Sequence, residues 1–482
     1  MSRIGEWVKN KMQTWLEIMP AAGGTIVLQE KLTRETEVLR SQLWYRGDAD
    51  ELHQFFHQLD RSNGGFWASA PGSSKVRKIH SGLPAIIADT LAYIVISDLD
   101  TIEVNSSIWE DIEQETEFRK KVKSAVIDAL ICGDGAFKIS VDGDISRYPM
   151  VEFVSGDKVE FEETHGVVTA VIFKDIITEN SRRYELRERY GKGYVETRLF
   201  DMSGQEYALE TIPTLAMIPT IVTFDGDFML AVPLKFYDSE KYKGRGKSIF
   251  DGGKSDCFDA LDEVISQWID AIRAGRVQKY IPEALLPRNP DNGSITQLNS
   301  FGTEFIAIGS PLGDGDANSQ IQVVQPDIKY DAFVSSFSHA LLMCLQGLVS
   351  PATLGIDVGK MASADAQREK KDVTGNTRNT ITGELEKVLP ELIAAVLRTY
   401  DLMCEKSPGE YDASVSFGEY GAPDFDSRVE TVGKAAQYGI MSIEKQVQEL
   451  WGSSMDENEQ AAEVERIKSQ RGVESMPEPF IM

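Results

Sequence analysis

The chain has 482 residues, 42% hydrophobic and 26% charged, with 50 basic against 76 acidic side chains and a formal net charge of −26. That length supports about three domains' worth of core and excludes a disordered chain, while the acid excess excludes a protein whose whole surface condenses on a polyanion. Cys132, Cys257, Cys344 and Cys404 are widely scattered, without the CxxC spacing of a zinc site or the density of a disulfide framework, and read as core thiols in a reducing compartment.

At residues 1–19, Ile4, Trp7, Val8, Met12, Trp15, Leu16 and Met19 recur every three to four positions, the spacing of an amphipathic helix. No uninterrupted apolar core of the kind a secretion signal needs is present there. Arg3, Lys9 and Lys11 would suit a membrane surface, yet packing on its own protein is the commoner fate of such a helix and is expected here. A second helical stripe covers residues 26–44, which Gly47 stops, and the following aspartates cap a helix through Leu52, Phe55 and Phe56. Residues 79–97 predict a third helix, ending before an extended stretch at 101–105. Phe118, Val122, Ala125, Val126, Ala129 and Leu130 form one face of a fourth, broken by Gly133-Asp134-Gly135 before a strand at 136–141. To about Pro233 the pattern is β, with strand-type residues at 151–154, 159–162, 167–177, 184–190 and 194–200.

Gly244-Arg245-Gly246-Lys247-Ser248-Ile249-Phe250 then leads into an amphipathic helix running to Lys279. Phe258, Leu261, Ile265, Trp268 and Ile272 make a heptad-like seam, leaving Asp259, Asp262, Glu263 and Asp270 for other faces. At about 23 residues this helix would be roughly 34 Å long. A Pro/Gly/Asp-rich stretch to Pro326 follows, whose strands at 304–308 and 320–324 suggest a small β module. The next predicted helix, residues 331–350, places Phe333, Phe337, Leu341, Cys344 and Leu348 at matching spacing, so the two pack as an antiparallel pair. Residues 332–350 contain no Asp, Glu, Lys or Arg, which raises a transmembrane span, but Ser335, Ser336, Ser338, His339 and Gln346 argue against it. Nearly apolar all round, this helix exceeds what a simple hairpin can hide from water, so neighbouring subunits are expected to cover the remainder. Core helices of a large monomeric enzyme would satisfy the periodicity equally. Pro351 ends the helix, Gly355 and Gly359 loosen the chain, and a long stripe at 363–403 follows, with a kink or break expected at Pro390. Helices at 429–438, 443–450 and 461–469 close the pattern.

Enzyme motifs mostly fail. Gly246-Lys247-Ser248 imitates the end of a phosphate-binding loop, but Lys241 holds the first glycine's place and no apolar strand precedes it, so a helix start is the expected role. Asp314, Asp316 and Asn318 imitate a calcium loop in which Ser319 replaces the glycine and Gln325 the bidentate glutamate. His53 and His57 lack the glutamate of a zinc protease, and no Ser/His/Asp or paired-carboxylate arrangement stands out. No cofactor and no metal are expected, and the chain reads as a non-enzyme.

From about Trp44 to Ser469 the order of elements resembles the portal (head–tail connector) proteins of tailed double-stranded DNA bacteriophages. The sharper parts are Tyr45-Arg46-Gly47, Gly246-Lys247-Ser248-Ile249-Phe250 leading into Leu261-Asp262-Glu263, and Ser350-Pro351-Ala352-Thr353-Leu354-Gly355. The resemblance implies an α+β, ring-forming subunit. Its wing would cover residues 1–250, with stem helices at 251–279 and 327–350, a clip at 280–326 and a tunnel loop at 351–364. A long wing helix and return strand would occupy 365–423, and a crown with the C-terminal tail 424–482. It further implies a ring, usually of twelve copies, at one capsid vertex of the virion, assembled in the host cytoplasm. Double-stranded DNA would pass through it, and its partners would be a terminase packaging motor, head-completion or tail adaptor proteins, and major capsid and scaffolding proteins, with no membrane. Lys360, with Met361, Asp357 and Arg368, would face DNA in the tunnel, although a lone lysine in a loop is more often merely solvated. Arg288, Asn289, Asn292 and Asp314 would be docking contacts of the clip. An acidic channel wall would keep the duplex centred. An acidic cytoplasmic enzyme and a non-ring minor capsid protein remain as the alternatives.

Overall fold

The computed structural model describes residues 32–59, 65–69, 76–275, 278–282, 305–308, 322–324, 327–356, 364–418, 425–451 and 457–470. The stripe at residues 4–19, the loop residues Asp357, Lys360 and Met361, and the clip residues Arg288, Asn289, Asn292 and Asp314 lie outside them.

The first helices are α1 (Arg34–Arg46) and α2 (Ala49–Leu59). Gly47 separates them at φ 70°, its N–H donating to the Leu43 carbonyl, and the Asp48 carboxylate accepts from the N–H groups of Asp50 and Glu51. This is the left-handed stop and side-chain cap that the sequence predicts. Of the helix expected at 26–44, α1 covers the part from Arg34, after an extended Thr33 (φ −76°, ψ 166°), and residues 26–31 lie outside the described residues. Next come α3 (Leu83–Ser97), β1 (Leu99–Val104), α4 (Trp109–Glu115) and α5 (Phe118–Cys132). The α4 turn escaped the sequence reading, since Glu110, Asp111, Glu113 and Glu115 hide an apolar pair, Trp109 and Ile112, that is buried.

A three-stranded antiparallel sheet follows from β2 (Asp134–Ser140), β3 (Met150–Ser155) and the later β10 (Ala231–Lys235), in the order β10-β2-β3. The largest sheet holds β4 (Val159–Thr164), β5 (Val167–Glu179), β6 (Arg182–Gly191), β7 (Tyr194–Asp201) and β8 (Glu206–Tyr207) in sequence order, with β9 (Ile221–Thr223) also on β7. Its hairpins are tight. His165 and Gly166 both take positive φ (55° and 83°), as do Asn180 and Ser181 (50° and 63°), the geometry whose twist matches the flanking strands. Val159, Val171, Phe173 and Tyr190 pack with Ala136 and Ala231, joining the two sheets.

Beyond β10 the chain forms α6 (Lys254–Ala274), a small sheet of β11 (Gln278–Pro282), β12 (Phe305–Ile308) and β13 (Gln322–Val324), and the returning helix α7 (Tyr330–Leu345). β11 is central, parallel to β12 and antiparallel to β13. Three boundaries differ from expectation. α6 stops at Gly275 instead of Lys279, because Ile328 of the returning chain lies where a Gly275 side chain would stand (2.8 Å) and β11 then pairs with its neighbours. α7 stops at Leu345 instead of 350, with Gly347 left-handed at φ 77°. Ser248 does not start a helix, since α6 begins six residues later after left-handed Gly252 and Gly253.

Pro351–Leu354 is a 3₁₀ turn closed by left-handed Gly355, so these residues are fixed instead of loosened. The Ser350 N–H donates to Thr374 Oγ1 (2.8 Å), seating the turn on α8 (Ala364–Met403). Of the kink or break expected at Pro390, the break does not occur, since α8 is helical through it. The carbonyl that Pro390 leaves unbonded belongs to exposed Glu386, where water can reach it. Leu385, Leu389, Leu392, Ile393 and Val396 of α8 are fully buried in the main core, together with Trp44, Ile87, Leu91, Phe118 and Val126. Each such side chain contributes about 1.5–3 kcal/mol of burial. β14 (Ala413–Phe417) pairs antiparallel with β1, and α9 (Phe425–Gln437), α10 (Ile443–Trp451) and α11 (Glu457–Gln470) complete the chain. Among the described residues no helix is long and apolar enough to cross a membrane.

Candidate ring-forming stem and its root

α6 and α7 pack on each other through the predicted seams. Phe258 and Leu261 are buried, Ile265 and Trp268 are partly covered, and Ile272 is 47% exposed. On α7 the gradient mirrors this: Leu341 and Cys344 are buried, Phe337 and Phe333 half-buried, and Tyr330 is 61% exposed. Trp268 sits in the distal half, stacked on Phe333 (ring centroids 6.4 Å apart, planes 8° apart) and 6.5 Å from the rings of Tyr330 and Phe337. At 1.5 Å per residue α6 is about 32 Å long. The outward face of α7 carries Asp331, Ala332, Ser335, Ser336, His339, Leu342 and Met343, all exposed, with Asp331 the one charged residue among them. On α6, Asp256, Gln267 and Arg273 are exposed.

The root of the stem is polar and buried, which the sequence reading missed. Asp259 and Asp262, left off the seam by periodicity, face the body of the same subunit, and Asp262 is fully buried. Its carboxylate accepts from Trp67 Nε1 (3.1 Å), His80 Nδ1 (2.7 Å) and the Ser81 N–H (2.8 Å). Asp259 accepts from the N–H groups of Phe66 and Trp67 (2.8 and 2.9 Å), and burial pushes its pKa up against the opposing pull of those bonds. Trp44 Nε1 donates to Ser255 Oγ, and Ser266 Oγ accepts from the Ile79 N–H. Residues 65–69 and 76–82 therefore lie across the first turns of α6 and supply the donors that let carboxylates be buried there. The sequence signal was present in Trp67 and His80, but the pairing spans more than 180 residues.

Lys254, at the first turn of α6, donates to the carbonyls of Met343, Cys344 and Gln346 (2.9, 3.2 and 2.6 Å), capping the end of α7. Just before α6, Gly246 abuts Gly133 closely enough that a side chain on either would strike the other's backbone. Asp134, fully buried, accepts from the Gly246 N–H (2.6 Å), Arg245 Nε and Nη2 (2.9 and 2.7 Å) and Arg34 Nη2 (2.7 Å). Ile249 donates its N–H to the Leu130 carbonyl, and Phe250 is buried. The glycine-rich stretch thus fastens α6 to the end of α5. Its Gly246 N–H is occupied by Asp134, unlike a loop that offers amides to phosphate.

Among the described residues no group of three or more His, Cys, Asp or Glu is placed to hold a metal ion. His53 and His57 lie with ring centroids 5.6 Å apart, and His53 Nδ1 is 2.9 Å from the Trp67 carbonyl oxygen. An open hollow of about 430 Å³ is lined by Phe161, Glu163, His165, Gly166, Lys243, Gly244 and Arg245. Arg368 falls on the first turns of α8.

The elements define a mixed helix-and-sheet fold in which two antiparallel helices, bearing a small sheet, project from a body crossed by one long helix. No protein-family match is found for the sequence, and no curated protein matches it. Among solved structures the chain is similar to the neck of a native GTA particle computed with C12 symmetry, at 10% identity over 77% of this chain and 90% of that one, with a TM-score of 0.41. It is also similar to the neck of an empty GTA particle computed with C6 symmetry, at 10% identity over 81% and 96%, with a TM-score of 0.36. The likeness is coarse.

Proposed function

We propose that the chain is the subunit of a portal-type head–tail connector: a closed ring at one vertex of a phage-like capsid, through which double-stranded DNA enters and leaves. Packaging motor and tail adaptors would dock at the small sheet on the stem tip. One observation carries the reading. Ile272, Tyr330, Leu342 and Met343 are exposed on the stem of a single subunit, and beyond Asp331 the outer stripe of α7 carries no charged side chain to hold water. Copies arranged head to tail about an axis would cover that surface, since heterologous contacts close into rings.

Light scattering after size exclusion, with negative-stain imaging, tests this directly. Perforated discs of uniform mass are expected. A stable monomer or dimer at high concentration would overturn the proposal and favour an acidic enzyme.

A further inference from the structure

A second apolar surface lies far from the stem in sequence, on the largest sheet. Leu209, Ile212 and Leu215 are buried against Tyr184 and Leu199, which fixes the segment after β8 to the sheet. The chain then turns its other side outward: Met217 is 93% exposed, and Ile218, Ile221 and Val222 are exposed with it. Among the described residues β9, which carries Ile221 and Val222, pairs only with β7, leaving its other edge without a strand. Rigid support beneath bare apolar side chains on an edge strand is a surface built to be covered.

The surroundings specify what covers it. Residues 199–234 contain no Lys or Arg but five acids, among them Glu210 and Asp225 on either side of the ridge along the chain. Residues 1–19 have the complementary make-up: Ile4, Trp7, Met12, Trp15 and Leu16 at helical spacing, and three bases, Arg3, Lys9 and Lys11, against two acids. Where this segment leaves the body is also fixed. The Leu32 carbonyl accepts from Lys241 Nζ and Tyr242 Oη (3.4 and 3.5 Å), and the adjoining Arg245 donates to the Val159 carbonyl of β4. The exit is therefore at the β4 edge, four strand spacings or about 19 Å across the sheet from β9. The twelve residues 20–31 reach up to about 40 Å.

We propose that residues 4–19 of one copy dock on the Met217–Val222 ridge of the next copy in the ring, stitching neighbours together outside the stem. The inference rests on the ring reading, in which a reach of about 40 Å, about twice the 19 Å to the chain's own β9, lets the segment cross to the next copy.

The test uses the full chain with Cys404→Ser and the pair Met12→Cys and Met217→Cys, mildly oxidised and run on a non-reducing gel, with particle mass measured in parallel. A ladder of disulfide-linked multimers from ring-sized particles is expected. An intrachain disulfide alone, or rings with no cross-link, overturns the docking. Cross-linked dimers without rings keep the docking and sink the ring, whereas neither product sinks both. Independently, removing residues 2–19, or the double change Glu210→Lys and Asp225→Lys, should raise the concentration for half-assembly about tenfold, as loss of a single well-buried side chain would. Unchanged assembly in both variants also overturns the proposal, as does recovery of the protein on anionic vesicles through residues 1–19 in place of self-association.

Discussion

Replacing Asp262 should unfasten the stem from the body. Its carboxylate is fully buried and accepts from three donors, Trp67 Nε1, His80 Nδ1 and the Ser81 N–H. Asp262→Ala leaves all three without an acceptor, at about 1–3 kcal/mol each, offset in part by no longer burying a carboxylate, for a net of about 3–5 kcal/mol. Asp262→Asn is the informative control. Trp67 Nε1 and His80 Nδ1 both reach Oδ2 while the Ser81 N–H reaches Oδ1, so in its better orientation the asparagine oxygen keeps the first two and the Ser81 N–H faces the new amide, one unsatisfied donor at a cost of about 1–3 kcal/mol. Hydrogen exchange read by mass spectrometry on peptides covering residues 65–69 and 76–82 reports the local opening. The Ala variant should speed exchange there about hundredfold or more, with Asn intermediate and the β5–β6 hairpin unchanged. Equal, unaltered protection in both variants would refute the idea that this carboxylate holds the strap.

The other expectations are simpler. Gly246→Ala drives a methyl into the Gly133 carbonyl and should prevent soluble folding or lower the melting midpoint by more than any surface substitution, measured by thermal scanning fluorimetry. Asp128 is pushed by burial, and next by Asp157, from its ordinary 3.8 up to about 6. Because the folded pKa is the higher one, stability falls as pH rises from about 4 to 6. Asp128→Asn should therefore stabilise at pH 7 by about 1 kcal/mol after allowance for partial exposure, and the gain should vanish near pH 4 in paired melts. Trp268→Ala removes the stack on Phe333 and should cost about 2 kcal/mol, with a larger loss in assembled particles than in monomer if neighbours cover the distal stem.

Local chemistry explains what was legible in the sequence. Strands β3 to β7 fall within a few residues of expectation, because each is a β-branched or aromatic run ended by a short turn. Gly47 and Asp48 announced their stop and cap in two residues. Errors arose where a distant partner decides the outcome. Periodicity places Asp262 off the seam but does not name Trp67 and His80 as its partners, and Gly275 follows the end of α6 with Ile328 packed beside it. Pro390 does not break α8, whose apolar face is held on both sides of it by Leu389 and Leu392 in the core. The stem seam itself was legible as periodicity. Its decline in burial toward the tip was not, since spacing alone says which side chains share a face and nothing of what lies opposite.

The two ends of the stem are held by different means, and this has a mechanical consequence. Near the body, α6 is clamped by buried hydrogen bonds from Trp44 of α1 and from Trp67, and its Lys254 caps the end of α7. Toward the far end the pair is joined by aromatic packing around Trp268 and, beyond the helix ends, by the pairing of β11 with β13, and aromatic packing tolerates sliding where a hydrogen bond does not. Such a beam pivots at its anchorage: over about 32 Å, a tilt of about 10° would swing the small sheet sideways by about 6 Å. A bore bounded by such levers would widen or narrow through changes confined to the anchorage.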